Sequence, residues 1–162
     1  MPDRSPRKRI RVLFVCMGNI CRSPLAEGVF LHKINQRGVA HQFTVESAGT
    51  GGWHAGELPD PRVRAVAKRG GIELCSRARQ VTKSDFTSFD HLICMDEDNR
   101  EHLLNMGAPP QQVRLLLECD RNAPVREVPD PYYGGADGFE LVYKLVDKAC
   151  DALIDELLAD ER

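Results

Sequence analysis

The chain alternates short, nearly uninterrupted apolar runs with longer segments in which apolar and polar residues are mixed. Four apolar runs predict buried β-strands, at residues 11–16, 43–47, 89–95 and 113–117. Between and after these runs, apolar residues recur every three or four positions, which predicts helices. Strands that alternate with helices favour a parallel sheet covered on both faces. The pattern therefore predicts an α/β fold with a four-stranded parallel sheet flanked by helices.

Residue types that begin and end helices support this division. Ser23 and Asp60 each precede a proline, so we expect each to cap the start of a helix. Gly38 stands where the first helix should end, as a C-terminal glycine does. Asp137 has an acidic residue three positions later, which resembles the capping box of a last, long helix.

Composition is that of an ordinary globular protein. The 162 residues are 42% hydrophobic and 28% charged, which excludes a disordered chain, a collagen-like repeat and a coiled coil. A chain of this length buries about 70% of its unfolded surface, enough for one core. We expect a basic, flexible N-terminal arm at residues 1–9 and a single domain at residues 10–162.

Charge and hydropathy favour neither nucleic-acid binding nor a membrane span. The formal net charge is −2, which gives no support to nucleic-acid binding. No apolar run approaches the roughly 20 residues of a membrane span, and the run after the basic arm lacks a signal-peptide cleavage pattern. The six cysteines form no C-x-x-C pair and no cluster with zinc spacing, so we expect free thiols, no metal site and a cytoplasmic protein.

The segment between the first strand and the first helix carries the candidate chemistry. A strand–loop–helix junction points backbone N–H groups inward, and the positive end of the helix dipole makes it an anion site. Gly18 and Asn19 tolerate the left-handed backbone that such a loop needs. The sequence therefore predicts a phosphate-binding loop at residues 16–24.

Three side chains in this loop suit nucleophilic attack on phosphorus. Cys16 ends the strand, where the N–H donors and Arg22 would stabilise its thiolate. The planar guanidinium of Arg22 can bind two phosphate oxygens at once. Ser23 can hydrogen-bond the sulfur and stabilise it as a leaving group. The spacing C-x5-R, placed between a strand and a helix, thus predicts a cysteine nucleophile inside a phosphate pocket.

From Val12 to the last helix, the chain resembles the low-molecular-weight protein tyrosine phosphatase family. The most specific match is V-C-M-G-N-I-C-R-S-P-L-A-E, which begins at Val15, and the others are V-E-S-A-G-T, A-R-Q-V-T, C-M-D-E-D-N and D-P-Y-Y-G. The resemblance implies the four-stranded parallel sheet described above. It also implies hydrolysis of phosphotyrosine in proteins through a phosphocysteine intermediate, without metal or cofactor. Inorganic phosphate or vanadate would compete as anions.

The resemblance also implies roles for residues outside the loop. Asp130 in D-P-Y-Y would protonate the leaving oxygen and then activate water. Tyr132 and Tyr133 would form an aromatic wall for the substrate ring, with Trp53 across the cleft. Substrate would also contact the loop residues Met17, Gly18, Asn19, Ile20, Cys21 and Ser23.

Two support roles follow from the same resemblance. Asn19 would brace the loop, and Ser47 would donate a hydrogen bond to it. Many family members carry a histidine where this chain has Ser76, and that histidine normally braces the asparagine, so this link stays open. Cys21, five residues from the nucleophile, is predicted to trap oxidised Cys16 as a disulfide.

Three alternatives share parts of this pattern. An arsenate reductase has the same fold and loop but needs extra cysteines to relay a disulfide, and Cys75 and Cys94 are the only candidates near that region. An arginine phosphatase of the same family has a small polar residue where Ile20 stands. A non-enzymatic anion-binding module would lack turnover of a generic aryl phosphate.

Overall fold

The computed structural model describes residues 9–131 and 136–160. The predicted basic arm, apart from its last residue Arg9, lies outside the described residues. Tyr132 and Tyr133, the predicted aromatic wall, lie outside them as well. Within the described ranges, no helix is both long enough and apolar enough to cross a membrane.

Four parallel strands form one sheet. They are β1 (Ile10–Cys16), β2 (Phe43–Gly49), β3 (His91–Cys94) and β4 (Val113–Leu115). The strand order is β2-β1-β3-β4, so β1 is central and pairs with β2 on one side and β3 on the other. The chain order reverses on either side of β1, and ligands of open α/β sheets bind at such a switch point, beyond the carboxyl ends of the strands. Cys16, the last residue of β1, lies there.

Helices cover both faces of the sheet, as the sequence predicted. Alternate side chains of β1 point to opposite faces, and they join two separate apolar clusters. One cluster packs β1 against α1, α2 and α5, and the other packs it near α3 and α4. The helices are α1 (Arg22–Gln36), α2 (Pro61–Arg69), α3 (Asp85–Ser88), α4 (Glu97–Asn105) and α5 (Ala136–Asp160).

Two of the predicted helix boundaries are confirmed. Asp60 caps α2, and its side chain accepts a hydrogen bond of 2.8 Å from the backbone N–H of Arg62. Gly38 follows α1 with φ +72°, the left-handed conformation that ends helices.

Two other predicted caps are wrong. α1 begins at Arg22, so Ser23 lies inside the helix, and the residue before the helix, Cys21, makes no side-chain capping bond. The hydroxyl of Ser23 is instead drawn into the phosphate-binding loop. Asp137 lies inside α5, which already includes Ala136.

Candidate active site

The loop between β1 and α1 curls around the sulfur of Cys16. Asn19 has φ +56°, in the left-handed region, as expected for an asparagine in a tight loop. Its backbone N–H donates to Cys16 Sγ at 3.3 Å. Gly18 lies outside the left-handed region, contrary to the prediction, and its lack of a side chain serves close approach. A Cβ at Gly18 would come within 3.1 Å of the ring of His54.

Cys16 lies at the base of the loop with two polar neighbours. Its side chain is buried, and Ser23 Oγ lies 2.9 Å from Sγ. The Ser23 hydroxyl and the Asn19 N–H together can stabilise negative charge on this sulfur. The contact between Ser23 and the sulfur that the sequence analysis expected is therefore present, although Ser23 does not cap the helix.

Arg22 is buried beside this sulfur and is held in place by polar partners. Nη1 donates to Asp96 Oδ2 at 2.6 Å and to the backbone oxygen of Val128 at 3.0 Å. Burial works against the guanidinium charge, but the negative charges of Cys16, Asp96 and Asp130 outweigh it and raise the pKa of Arg22. Arg22 is therefore a fixed cation at the pocket.

Two carboxylates approach Arg22 in different ways. Asp96 also accepts the backbone N–H of Asn99 at 2.9 Å, so both of its oxygens are used, one by Arg22 and one by the cap of α4. Asp130 Oδ2 lies 3.8 Å from Arg22 Nη2, and its side chain is one-third exposed and lines the pocket. Of the two, Asp130 is the one placed to reach a bound substrate.

Cys16, Arg22 and Asp130 line one cavity of about 310 Å³. The loop residues Met17, Gly18, Ile20 and Cys21 form part of its wall, together with Cys16 and Arg22. Trp53, which is 71% exposed, and His54 complete the wall on the side of the β2–α2 connection.

His54 is a pocket residue that the sequence analysis missed. Its Nδ1 lies 2.5 Å from a carboxylate oxygen of Glu57, an interaction that fixes the ring beside Gly18. The only signal in the sequence was its position next to Trp53. The aromatic ring of Trp53 was expected in the wall, and it lies over Gly51, where a Cβ would collide with it at 1.9 Å.

Cys21 is the second thiol of the pocket, and its chemistry differs from that of Cys16. It is buried, and this burial, followed by the negative charges of Asp60 and Cys16, raises the pKa of Cys21 to about 12. Cys21 therefore stays protonated at neutral pH. The contacts that can stabilise a thiolate are made to Cys16.

The side chain of Asn19 braces the loop through three hydrogen bonds. Nδ2 donates to Ser23 Oγ at 2.8 Å and to Ser47 Oγ at 3.0 Å. Oδ1 accepts the backbone N–H of Arg79 at 3.0 Å. The contact with Ser47 was expected, but its direction is the reverse of the prediction, because Ser47 accepts from Asn19 rather than donating to it.

Ser47 uses its own proton elsewhere. Its hydroxyl donates to Oε1 of Glu27 at 2.5 Å, and the hydroxyl of Ser76 is a further hydrogen-bond partner of the same carboxyl. The side chain of Asn19 is bound by Ser23, Ser47 and Arg79. Ser76, which stands in place of the family histidine, acts on the carboxyl of Glu27.

A buried sulfur at the end of a strand, backbone N–H groups, a fixed guanidinium and a carboxyl at the pocket wall form one constellation. It defines a class of enzymes that use cysteine to attack phosphate esters, with the phosphate held by a loop and an arginine. The family model for the low molecular weight phosphotyrosine protein phosphatases matches residues 11–162. The chain belongs to this family.

Individual relatives agree with this assignment. A low molecular weight phosphotyrosine protein phosphatase of Schizosaccharomyces pombe is 43% identical over 144 residues, which cover 86% of this chain and 92% of the relative. The crystal structure of a protein tyrosine phosphatase from Entamoeba histolytica with Hepes in the active site superposes with a TM-score of 0.90 at 38% identity, over 94% of this chain and 99% of that chain. A Drosophila arginine phosphatase superposes with a TM-score of 0.85 at 29% identity, over 91% and 98%.

Proposed function

We propose that the protein hydrolyses phosphotyrosine in proteins, with Cys16 as the nucleophile and Asp130 as the general acid and base. The observation that carries this proposal is the convergence of Cys16, Arg22 and Asp130 on one cavity. Family membership supports the same reaction. We further propose that residues 10–162 form one catalytic domain and that the protein is cytoplasmic, which its six unpaired cysteines favour.

In the first step, the Cys16 thiolate attacks phosphorus in line with the leaving phenol oxygen. The S–P bond forms, the P–O bond breaks, and Asp130 gives its proton to the leaving oxygen. The loop N–H groups and Arg22 hold the three equatorial oxygens, where negative charge must be balanced in the transition state. Because Asp96 fixes Arg22 in advance, little reorganisation is needed at the moment of reaction.

In the second step, water hydrolyses the phosphocysteine. The Asp130 carboxylate takes a proton from the attacking water, and inorganic phosphate leaves as the S–P bond breaks. The electron pair returns to Cys16 Sγ, which the Ser23 hydroxyl stabilises at 2.9 Å. The charge that a metal supplies in other phosphatases comes here from Arg22 and the backbone dipoles, and inorganic phosphate or vanadate would compete for the same loop.

The shape of the pocket favours an aryl phosphate over a short alkyl phosphate. The nucleophile is only 3% exposed, whereas Trp53 and Met17 are 71% and 43% exposed. A phosphate on the end of a phenyl ring can reach Sγ while its ring contacts these side chains and Ile20. A phosphoserine would have to bring its own backbone into the loop to reach the same depth.

We expect peptides of one sequence that carry phosphotyrosine, phosphoserine or phosphoarginine to be hydrolysed with very different efficiency. The kcat/KM for phosphotyrosine should exceed that for phosphoserine by at least about 100-fold, since the ring burial and the reach are lost together. Phosphoarginine is the informative competitor because a Drosophila arginine phosphatase shares this fold. A higher kcat/KM for phosphoarginine than for phosphotyrosine would show that the protein is an arginine phosphatase instead.

The structure gives less support to an arsenate reductase. Cys94 is fully buried within β3, and Cys75 is exposed between α2 and α3. Neither cysteine lines the cavity that holds Cys16, where a disulfide relay would have to start.

We also propose that Cys21 protects the nucleophile from oxidation. Peroxide would convert the Cys16 thiolate to a sulfenic acid, and the Cys21 thiol would then form a disulfide with it as water is lost. Because the pKa of Cys21 is raised to about 12, Cys16 is expected to be oxidised first.

Mild peroxide treatment should therefore yield a Cys16–Cys21 disulfide in peptide maps, and a reductant should restore activity. Bound phosphate should slow the oxidation by occupying the pocket. The Cys21→Ser variant should lose recoverable activity, with Cys16 found as the sulfinic acid. Equal recovery in the variant and the unmodified protein would contradict the protective role.

A further inference from the structure

Glu27 is a partly buried carboxyl that the reaction scheme does not use. It lies on α1, one turn beyond Ser23, and it lines a separate cavity of about 210 Å³ rather than the active-site pocket. Burial raises the pKa of Glu27, and the hydrogen bonds from Ser47 and Ser76 oppose that rise. The charged groups that act on it are Glu46 on β2 and Arg79 in the segment before α3, while Glu73 and Cys75 line the same cavity.

Some groups near the loop can only donate or only accept a hydrogen bond, and they fix the directions of the neighbouring bonds. The backbone N–H of Arg79 can only donate, so it fixes the Asn19 oxygen on its side. The Asn19 amide nitrogen, which has two protons, must then face Ser23 and Ser47. Both hydroxyls therefore accept a proton from Asn19.

The proton of each serine hydroxyl can then be assigned to an acceptor. Ser47 already accepts from Asn19, so it donates its own proton to Glu27 Oε1 at 2.5 Å. Ser23, which already accepts from Asn19, has its own proton available for Cys16 Sγ at 2.9 Å. Glu27 thus stands at one end of a chain of hydrogen bonds, and the nucleophile stands at the other.

We propose that Glu27 is a positioning residue that fixes this direction, so that Ser23 donates to Cys16 and Asn19 keeps its left-handed conformation. The proposal deepens the proposed function and rests on it, because it takes Cys16 as the nucleophile. Without the Glu27 acceptor, the Ser47 hydroxyl can rotate so that its proton points toward the amide nitrogen of Asn19. The hydrogen bond that Asn19 donates to Ser47 is then lost. The brace that holds Asn19 at φ +56°, and with it the N–H donated to Cys16 Sγ, is weakened.

The test replaces Glu27 by leucine, which has a similar size and helix propensity but no acceptor. We expect kcat for p-nitrophenyl phosphate to fall about three- to tenfold, the scale of one lost hydrogen bond, with KM changed less than about twofold. We also expect the pH midpoint of Cys16 alkylation by iodoacetamide to move upward. Glu27→Gln, which keeps a neutral acceptor, should recover part of both effects. Glu73→Leu, at an exposed carboxylate of the same cavity, is the matched control and should change neither.

A double-mutant cycle with Ser47→Ala separates positioning from packing. If Glu27 acts through Ser47, Glu27→Leu should have little further effect on alkylation in the Ser47→Ala background. A full and independent effect in that background would overturn the proposal. So would a Glu27→Leu protein with a lowered melting temperature but an unchanged alkylation midpoint. If Glu27→Leu does not fold, the alkylation midpoint is compared in Glu27→Gln, Ser47→Ala and the double variant instead.

Alkylation needs no substrate, so it also separates this proposal from the proposed function. A chain that fails to hydrolyse phosphotyrosine can still show the shift in Cys16 reactivity. Conversely, a chain that hydrolyses phosphotyrosine normally, with Cys16 reactivity untouched by Glu27→Leu, would contradict the positioning role alone.

Discussion

Replacement of Cys16 by serine is expected to abolish turnover of aryl phosphates, with a loss of at least about 1000-fold, while vanadate still binds. A serine hydroxyl is a far weaker nucleophile at neutral pH, because it holds its proton much more tightly than a thiol does. The anion site itself should survive, because Arg22 keeps Asp96 and Val128 as partners. Steady-state assays and equilibrium titration with vanadate measure the two quantities separately.

Cys75→Ser is the matched control for this experiment. It makes the same chemical change at an exposed cysteine outside the cavity, and its turnover should equal that of the unmodified protein. Turnover above a few per cent in Cys16→Ser would show that another residue is the nucleophile. Loss of vanadate binding together with turnover would show that the substitution had collapsed the loop.

Asp130→Ala is expected to slow phenyl phosphate by about 100- to 1000-fold and a substrate with an acidic phenol by about tenfold or less. The difference arises because a basic leaving oxygen needs a proton in the transition state, whereas an acidic phenol leaves as the anion. The phosphate site should stay intact, since Arg22 remains fixed by its 2.6 Å contact with Asp96. A plot of kcat/KM against the acidity of the leaving phenol should therefore become steeper in the variant.

Asp98→Ala provides the comparison. Asp98 is an exposed carboxyl near the pocket, on α4, and its loss should leave the slope of this plot unchanged. Equal losses on both substrates in Asp130→Ala would remove Asp130 as the acid. Asp98 would then be the next residue to test, because both oxygens of Asp96 are already engaged.

Residue patterns over short segments predicted the strands, the helices and the loop between β1 and α1 well. The buried runs became β1 to β4, and both of the confirmed helix boundaries rest on residues whose effect is local, the cap at Asp60 and the glycine at Gly38. The alternation of strands and helices does not fix the strand order, and it is the observed order that places Cys16 at the switch point. Predicted strand lengths were less accurate. The run at 113–117 leaves the sheet after Leu115 and continues as a 3-10 turn.

The predictions from sequence were wrong where a side chain had two possible hydrogen-bond partners. Ser23 has the residue type and position of a helix cap, but the sulfur of Cys16 and the amide of Asn19 claim its hydroxyl. Ser47 was expected to donate to Asn19, but a carboxylate 20 positions away takes its proton. Propensity describes what a residue does with its own backbone, and a stronger partner brought close by folding overrides it.

The sequence by itself determined the four buried strands, the loop between β1 and α1, and the residue types that make the loop an anion site, because periodicity and backbone preference act over a few residues. Only the tertiary structure decided which charges and hydroxyls meet. Arg22 pairs with Asp96 across 74 positions, and Asn19 is braced by Ser47 across 28. His54 enters the pocket wall because the β2–α2 connection folds over Gly18. These contacts depend on how the helices pack on the sheet, and that packing is a property of the whole core rather than of any short segment.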